Sequence, residues 1–443
     1  MAAELLNARA LAPLLGAGIH AWAGVIAATL IWAGTGAMLS TRLAAKNEKA
    51  AAGTWLGLTG ASLAWSAWIT TNIPGTLEPT VARATIATSL TIGPAALCLG
   101  ALMPTATARA TKKSGDPDRA AAWTSAATTA GSVVGTLGTP LLILPYMGTN
   151  TAMGTLGVLC AALGAAILRD TKTILCLILA GAALANLAEE TGGPSRIFGE
   201  TIMVKESPYQ RIAVRKNTRG EKTLILNSQV AGSEMEGVNS IDFLPWAGLE
   251  GKEKARALYL GGGAFLVPKV HAQSRPQDEI TVAEIDEDVV KAVEEYFGIP
   301  PEIKKRIGDG RKILEEQPEG SLDMIFCDTY LDAEEVPAHM ASAEFFDLCA
   351  RKLKKDGVVL VNAVGKTAGP SRRISMLASA LSTAFPETDC HRETGKDMGE
   401  NANYMIRGSG APLPEAEKGS ESKMVAVTPK KLPPPTDRFN PPN

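Results

Sequence analysis

Four short signals in the C-terminal half of the chain place glycines or acidic residues at the ends of four consecutive predicted strands. Glycine lets backbone N–H groups approach a ligand closely, and a carboxylate accepts hydrogen bonds from hydroxyl or amino groups. Four such signals in chain order favour a nucleotide site over solvated loops. They are Gly261-Gly262-Gly263, Glu284-Ile285-Asp286, Gly308-Asp309-Gly310 and Cys327-Asp328-Thr329-Tyr330.

Two of the carboxylates have specific candidate contacts. Glu284 is placed to accept hydrogen bonds from two ribose hydroxyls, and Asp309 to accept one from an adenine amino group. A glycine triplet alone is a weak signal, and it gains weight because these two carboxylates follow it in order.

The segments around these signals predict the elements that hold them. Apolar runs alternate with helical stretches, which predicts a parallel, doubly wound, Rossmann-like sheet. Ligands of such sheets bind at the carboxyl ends of the strands. The runs are Ala257–Leu260, Ile280–Ala283, Leu322–Cys327 and Val358–Val361, and the helical stretches include Asp288–Phe297 and Ala343–Leu353. Ahead of them, residues 199 to about 230 alternate apolar and polar side chains and predict a small antiparallel β-sheet.

The N-terminal half has a different composition, which predicts a multi-pass α-helical membrane domain. From Leu11 to about Ala188 the chain is mostly Ala, Leu, Gly, Thr and Ile, whereas charged residues recur from Ser195 onward. A helix needs about 20 largely apolar residues to cross a bilayer. Six spans are predicted, at about 16–39, 53–73, 84–104, 121–146, 151–168 and 172–188. The lipid bilayer is therefore an expected partner.

Charge and small residues refine this expectation. Gly131, Gly135 and Gly138 share one helix face and predict close helix packing there. The predicted spans carry no Asp, Glu or Lys at mid-depth and only His20 as a histidine, which disfavours a transport pathway. The net charge of the 443 residues is −2, and no basic block with interleaved aromatics occurs, so no nucleic-acid partner is expected.

The side of the membrane that holds the soluble half stays open. The positive-inside rule makes the side richer in Lys and Arg cytoplasmic, and with six spans the soluble half then lies outside. If the segment 172–188 does not cross, the soluble half is cytoplasmic. We expect a multi-pass integral protein of a bacterial inner membrane or an equivalent membrane.

The predicted domain organisation has four parts. Residues 1–190 form the membrane domain, 196–250 the small sheet, 251–410 the nucleotide-binding domain and 411–443 a Pro-rich tail. Such a tail cannot form a core of its own, and disorder is expected unless it lies along a partner. The six cysteines show no CxxC spacing and no nearby His at ligand spacing, so no metal site is predicted.

Several motifs together resemble the membrane-fused, transporter-like spermidine synthase family over most of the chain up to about residue 408. Lys205–Ile212 resembles the family's opening signature, and Leu258–Gly263 its glycine loop. Val282–Asp286 and Gly308-Asp309-Gly310 are similar to its ribose and adenine elements, and Cys327-Asp328 to its catalytic strand end. In the membrane half, Gly100–Pro104 and Gly131–Thr136 resemble its helices.

The resemblance implies a fold of the S-adenosylmethionine methyltransferase type and a set of site residues. Gln210, Glu284, Asp309 and the glycines Gly261, Gly262, Gly263 and Gly310 would hold S-adenosylmethionine or its decarboxylated form. Asp328 would orient or deprotonate an attacking amine without a metal, and Tyr330, Asp332 and His339 are weaker candidates for substrate contact.

The chain departs from the family pattern at three points of the site. Gly232-Ser233 stands before Glu234-Met235, where polyamine-making members carry a Tyr-His pair that grips the diamine. Leu331 replaces a second Asp, with Asp332 one position late. The glycine loop continues as Ala264-Phe265-Leu266 in place of Asp-Gly-Gly. The membrane half also resembles the family from its second span onward.

Two functions are compatible with these residues. The first is a membrane-anchored aminopropyl or related alkyl transferase with an unknown acceptor and Asp328 as base. The second is a non-catalytic accessory or scaffold subunit, with a degenerate transferase domain, which binds other membrane-protein subunits through its helices and Pro-rich tail.

Overall fold

The computed structural model describes most of the chain, which divides into two compact units. The first unit is Met1–Ala213 with Leu226–Ser228, and the second is Val214–Ile225 with Gln229–Asn443. The described residues are 1–15, 19–43, 47–72, 80–144, 147–168, 199–227, 229–234, 248–249, 252–330, 336–394, 401–413 and 424–437.

The first unit is built mainly from helices, as the composition predicts. Their order is α1 (Ala2–Leu15), α2 (Ile19–Leu43), α3 (Glu48–Asn72), α4 (Val81–Thr91), α5 (Gly93–Ser114), α6 (Pro117–Gly138) with a π-helical continuation (Thr139–Ile143), and α7 (Thr149–Leu168).

Three segments among the described residues are long and apolar enough to cross a membrane. They are Ala21–Ser40, Pro117–Ile143 and Thr149–Leu168, which correspond to three of the predicted spans. The predicted span 53–73 lies in α3, which is not among them, and 172–188 falls outside the described residues.

The span predicted at 84–104 is not one straight helix. It is divided between α4 and α5, which meet at an angle of 71° and would together count as a fourth span. The break lies at Ile92, and Pro94 stands in the first turn of α5. Proline has no N–H to donate and its ring crowds the preceding turn, so a new helix begins there.

Glycines bring helices close together, mainly at positions other than those that the sequence predicted. A Cβ on Gly36 would lie 1.8 Å from the carbonyl oxygen of Leu97, and one on Gly60 2.5 Å from that of Gly157. These contacts pack α2 against α5 and α3 against α7. Of the three glycines predicted to pack, Gly135 does so, because a Cβ there would lie 3.3 Å from the backbone nitrogen of Ala2 in α1, whereas Gly131 and Gly138 meet nothing within 4 Å among the described residues. The sequence spacing of glycines predicts that they share one face of a helix. It does not predict which other helix packs on that face.

Two sheets follow the helices. The small one has the strand order β1-β2-β3-β4 and occupies the region where the alternating pattern predicts it. Its strands are β1 (Glu200–Glu206), β2 (Arg211–Lys216), β3 (Lys222–Leu226) and β4 (Gln229–Ser233).

The large sheet has the order β12-β10-β11-β9-β8-β5-β6-β7, and its core strands β9, β8, β5, β6 and β7 are parallel. This confirms the predicted doubly wound sheet. The strands are β5 (Arg256–Leu260), β6 (Glu279–Glu284), β7 (Lys304–Ile307), β8 (Leu322–Cys327), β9 (Leu353–Lys366), β10 (Glu387–Glu393), β11 (Asn401–Ser409) and β12 (Met424–Ala426). The helices are α8 (Leu266–Ser274), α9 (Glu287–Tyr296), α10 (Gly310–Glu315), α11 (Ala343–Lys352) and α12 (Arg372–Ala384).

The order of the strands creates a switch point beside β5. The chain runs from β5 through β6 to β7 on one side, and then returns to β8 and β9 on the other. In sheets of this kind, ligands bind at the carboxyl ends of the strands beside such a switch point. Apolar side chains that are buried, such as Leu258, Ile325 and Val359, fix the sheet beneath it.

The C-terminal tail is not without structure, contrary to expectation. Met424–Ala426 forms the edge strand β12, which pairs with β10 in antiparallel register. The N–H of Lys430 donates to the hydroxyl of Ser375 at 3.3 Å, and that of Leu432 to Ser379 at 3.0 Å. The tail needs no core of its own because the open edge of β10 and the hydroxyls of α12 supply partners for its backbone.

Candidate active site

Backbone hydrogen bonds join the four predicted signals along one edge of the large sheet. The N–H of Asp328 donates to the carbonyl of Leu260 at 2.8 Å, and that of Gly261 to Ala283 at 2.9 Å. The N–H of Gly308 donates to the carbonyl of Glu284 at 2.9 Å. The ends of β8, β5, β6 and β7 are thus neighbours in space.

The glycine loop after β5 depends on the absence of side chains. Gly261 has φ +94°, and a Cβ there would lie 2.2 Å from the carbonyl oxygen of Asp328. Gly263 has φ +48°, and its Cβ would lie 2.8 Å from the carbonyl oxygen of Ala231. Any other residue at these two positions would displace backbone.

The side chain of Phe265 packs against the glycine loop at Gly262. Phe265 is a fully buried non-glycine residue with φ +57°, a conformation that strains a side chain. Its ring lies 2.3 Å from where a Cβ on Gly262 would stand. The phenylalanine therefore occupies the turn into α8, and the loop backbone rests on its ring.

Glu284 links the glycine loop to the end of β6. One carboxylate oxygen accepts from the N–H of Gly262 at 2.9 Å, and the other from the N–H of Asp286 at 3.1 Å. Burial raises the pKa of Glu284, and these two hydrogen bonds offset part of the rise. A carboxylate has about four acceptor sites, so Glu284 keeps capacity for hydroxyl donors. Asp286 instead caps α9 through the N–H of Asp288.

Asp309 begins α10 and binds a histidine. One carboxylate oxygen accepts from the N–H of Lys312 at 3.1 Å, and the other lies 2.9 Å from Nε2 of His339. Burial favours a higher pKa for Asp309, but the hydrogen bonds from Lys312 and His339 outweigh it and the pKa is lowered. The neighbouring Gly310 leaves room for Met340, whose methyl would lie 3.2 Å from an added Cβ.

Asp328 is oriented by a residue that sequence reasoning missed. The amide of Asn362, in β9, donates to its carboxylate at 3.0 Å. Burial raises the pKa of Asp328, and this hydrogen bond offsets part of the rise. The hydroxyl of Tyr330 donates to the backbone carbonyl of Asn362 at 2.9 Å, and burial followed by the charge of Asp328 raises the pKa of Tyr330. The available signal for Asn362 is a lone amide in the apolar run that starts at Val358.

Within the second unit, the structure brings together Glu284, Asp309, His339, Asp328 and Tyr330. Gln210 belongs to the first unit. Its N–H and that of Tyr209 donate to the hydroxyl of Ser207, which forms a turn. Asp332 lies outside the described residues.

The position of the missing Tyr-His pair is filled by packing. A Cβ on Gly232 would lie 2.5 Å from the Cβ of Ala264. The hydroxyl of Ser233 is buried and lies 2.8 Å from that of Thr223. Within the second unit, Gly232 of β4 therefore packs against the glycine loop, and Ser233 packs against β3.

Known proteins resemble this part of the chain. The family model "Spermine/spermidine synthase domain" matches residues 247–392. A probable polyamine aminopropyl transferase of Bifidobacterium longum is 31% identical over 129 residues, which are 29% of this chain and 28% of that protein. Spermidine synthase 1 of Hyoscyamus niger is 27% identical over 167 residues, or 36% of this chain and 52% of that protein. The matches thus span about a quarter to half the length of these relatives.

Solved structures are similar at lower identity. A probable spermidine synthase from Corynebacterium glutamicum has 22% identity and a TM-score of 0.42, over 48% of this chain and 80% of that one. The spermidine synthase of Thermotoga maritima has 19% identity and a TM-score of 0.40, over 48% of this chain and 74% of that one. The C-terminal part of this chain thus combines a parallel, doubly wound sheet with a segment, residues 247–392, that is similar to the spermine/spermidine synthase domain.

Proposed function

We propose that the chain is a membrane-anchored transferase that moves an aminopropyl or related alkyl group from an S-adenosylmethionine-type nucleoside to an amine. One observation carries the proposal. A carboxylate of raised pKa, Asp328, is held by Asn362 at the switch point of the sheet. Two further carboxylates lie along the same edge of the sheet, Glu284 at the end of β6 and Asp309 just after β7.

The donor groups suit such a nucleoside. Ribose offers two hydroxyl donors, and buried Glu284 has acceptor capacity beyond its two backbone bonds. Asp309 is an acceptor for an amino group, and the glycine loop lets backbone approach a ligand. Either S-adenosylmethionine or its decarboxylated form fits this set of residues.

For this transfer the protein needs mainly to position the attacking amine and to supply a base. The sulfonium group of the nucleoside supplies an electrophilic carbon. Asp328 holds the attacking amine in line and receives its proton as the C–N bond forms and the C–S bond breaks. A base of raised pKa accepts that proton more readily, and Asn362 keeps its oxygens oriented.

The helical unit supports the membrane part of the proposal. Large apolar side chains on α6 and its π-helical continuation are exposed, among them Val134 and Leu142, each at 71%. A bilayer would cover such a surface, and water would not favour it. We place the protein in a bacterial inner membrane or an equivalent one.

A second function, that of a non-catalytic accessory subunit, has specific support. Phe265 fills the turn of the glycine loop, and Gly232-Ser233 packs where diamine-binding groups are expected. Both features let the domain keep its fold without ligand. In that case the apolar helices would bind other membrane subunits.

Calorimetric titration of the detergent-purified chain separates the two functions. The ligands are S-adenosylmethionine, its decarboxylated form and methylthioadenosine. We expect micromolar binding, weakened at least about tenfold by Asp309→Ala, because the amino group of the ligand loses a charged acceptor.

Two variants control this titration. Asp309→Asn keeps a residue able to cap α10 and should still weaken binding, whereas Glu319→Gln changes an exposed carboxylate ahead of β8 and should not. Failure of all three nucleosides to bind would contradict the transferase and favour the accessory subunit.

A further inference from the structure

The end of the described tail reaches the α10–α11 region through Asp437. Its carboxylate accepts two hydrogen bonds from the guanidinium of Arg311, at 2.8 and 2.7 Å. The hydroxyl of Ser342 donates to the same carboxylate at 2.6 Å, and the backbone N–H of Asp437 donates to Glu344 at 3.0 Å. A paired fork of this kind fixes direction as well as distance.

Arg311 connects Asp437 to His339 and, through it, to Asp309. Its guanidinium also donates to the backbone carbonyl of His339 at 2.7 Å. The ring of His339 in turn lies 2.9 Å from the carboxylate of Asp309. Four residues thus form a continuous chain from the tail to Asp309.

The tail reaches Arg311 on a fixed backbone. The N–H of Ala343 donates to the carbonyl of Pro435 at 2.9 Å, two residues before Asp437. Hydrogen bonds at Lys430 and Leu432 and the edge strand β12 hold the segment further back. Contact with Arg311 lowers the pKa of Asp437 to about 2, so its charge is constant at neutral pH.

We propose that Met424–Asp437 is a clasp which, through Arg311, fixes His339 against Asp309 and so sets the affinity of the site for the adenine end of its nucleoside. The effect of the clasp on affinity rests on the proposed function. Its effect on His339 rests only on the contacts described above. Arg311 and Asp437 are positioning residues, because both act through His339.

Asp437→Asn tests the clasp, since it removes the charge with little change in shape. Glu315→Gln is the matched control, because Glu315 also lies near Arg311, at 3.8 Å, but belongs to α10 and not to the tail. The first readout is the rate at which diethyl pyrocarbonate modifies His339 in the full chain, followed by peptide mass spectrometry. His339 is 48% exposed and His391 is 12% exposed, so His391 is an internal reference.

We expect Asp437→Asn to speed modification of His339 about threefold or more and to weaken nucleoside binding about fivefold, since one paired charge contact is lost. Glu315→Gln should change neither by more than about twofold. Asp437→Glu should restore both values in part, because it returns the charge. Arg311→Lys, which keeps the charge but loses the fork, should act like Asp437→Asn and guards against a folding defect.

An unchanged rate at His339 in both Asp437→Asn and Arg311→Lys overturns the clasp, whatever the binding result. Faster modification with unchanged affinity also overturns it, because His339 would then not act on the ligand. If the wild-type chain binds no nucleoside, the proposed function is refuted. The modification rate of His339 needs no nucleoside, so it still tests separately whether the clasp fixes His339.

Discussion

The ionisation and the orientation of Asp328 depend on its burial and on the neighbouring side chain of Asn362. Burial at the end of β8 raises its pKa, and the amide of Asn362 opposes that rise by stabilising the ionised form. Tyr330 does not compete for the carboxylate, because its hydroxyl is bound to the backbone carbonyl of Asn362. One side chain on β9 thus controls both the direction and the basicity of the candidate base.

Replacing Asn362 should move the titration of Asp328 to higher pH. Asn362→Leu removes the hydrogen-bond donor that lowers the pKa of Asp328, while burial continues to raise it. Any activity that needs the carboxylate is lost as the pH falls through its folded pKa, so the acid limb should move upward. Carboxyl carbon NMR measures this, with the signal assigned by its loss in Asp328→Asn. A lower or unchanged pKa in Asn362→Leu would contradict the role given to this amide.

At this scale the sequence identifies acidic residues better than their partners. Glu284, Asp309 and Asp328 follow strands, so the sheet alone places them on one edge. Asn362 lies 34 positions from Asp328, and its contact depends on β8 and β9 pairing in one register. His339 lies in a 3-10 helix, Ala338–Met340, 30 positions from Asp309, and no periodic pattern in the sequence links the two.

A buried polar network joins β5 to α8 and to the turn before β6. The hydroxyl of Tyr259 lies 2.8 Å from Nδ1 of His271, whose Nε2 lies 3.0 Å from Asp278. Arg275 donates to the same carboxylate at 2.6 Å. The network holds the strand that carries the glycine loop against the helix that follows it.

Stability of this region should fall as the pH drops through about 6.5. Burial lowers the pKa of His271 below its usual 6.5 although Asp278 opposes this, so the unfolded chain binds a proton that the folded chain does not. Asp278, with a pKa below 3.8, loses its own contribution only at more acidic pH. Hydrogen exchange of β5 amides in urea, at about pH 7.5 and 5.5, measures the change.

The variant His271→Gln checks the source of that dependence. It should lower the free energy of unfolding by about 1–3 kcal/mol, because buried partners lose hydrogen bonds. It should also abolish the pH dependence, since glutamine does not titrate. An equal pH dependence in the variant would assign it to another group.

Elements with a regular pattern are predictable, and those decided by partners are not. The strands β5, β6 and β8 lie where apolar runs predict them, and most of their side chains are buried, whereas β7 is an exposed strand without such a run. The tail has no such pattern, and its strand β12 exists only because β10 has a free edge. Likewise the break between α4 and α5 depends on the local effect of Pro94 within an otherwise apolar segment.

At the scale of the whole chain, the turn between α5 and α6 should be cytoplasmic. Arg109, Lys112, Lys113 and Arg119 lie around this turn, and basic residues favour the cytoplasmic side. Lys113→Cys in membrane vesicles should react with an impermeant maleimide from that side only. Val81→Cys, at the other end of the bent pair α4 and α5, should react only from the opposite side. The wild-type chain supplies the blank, and reaction of both variants from one side would refute a span between them.

The most direct test of the proposed transferase is the amine-dependent release of methylthioadenosine from decarboxylated S-adenosylmethionine, measured for the wild-type chain and for Asp328→Asn with a panel of diamines. We predict release by the wild type and a loss of about 10²–10⁴-fold in the variant, the range of a general base, with nucleoside affinity retained. Equal rates in both proteins would remove Asp328 from the mechanism. Nucleoside binding without release for any amine would contradict the transferase and leave a ligand-binding accessory subunit as the better description of this protein.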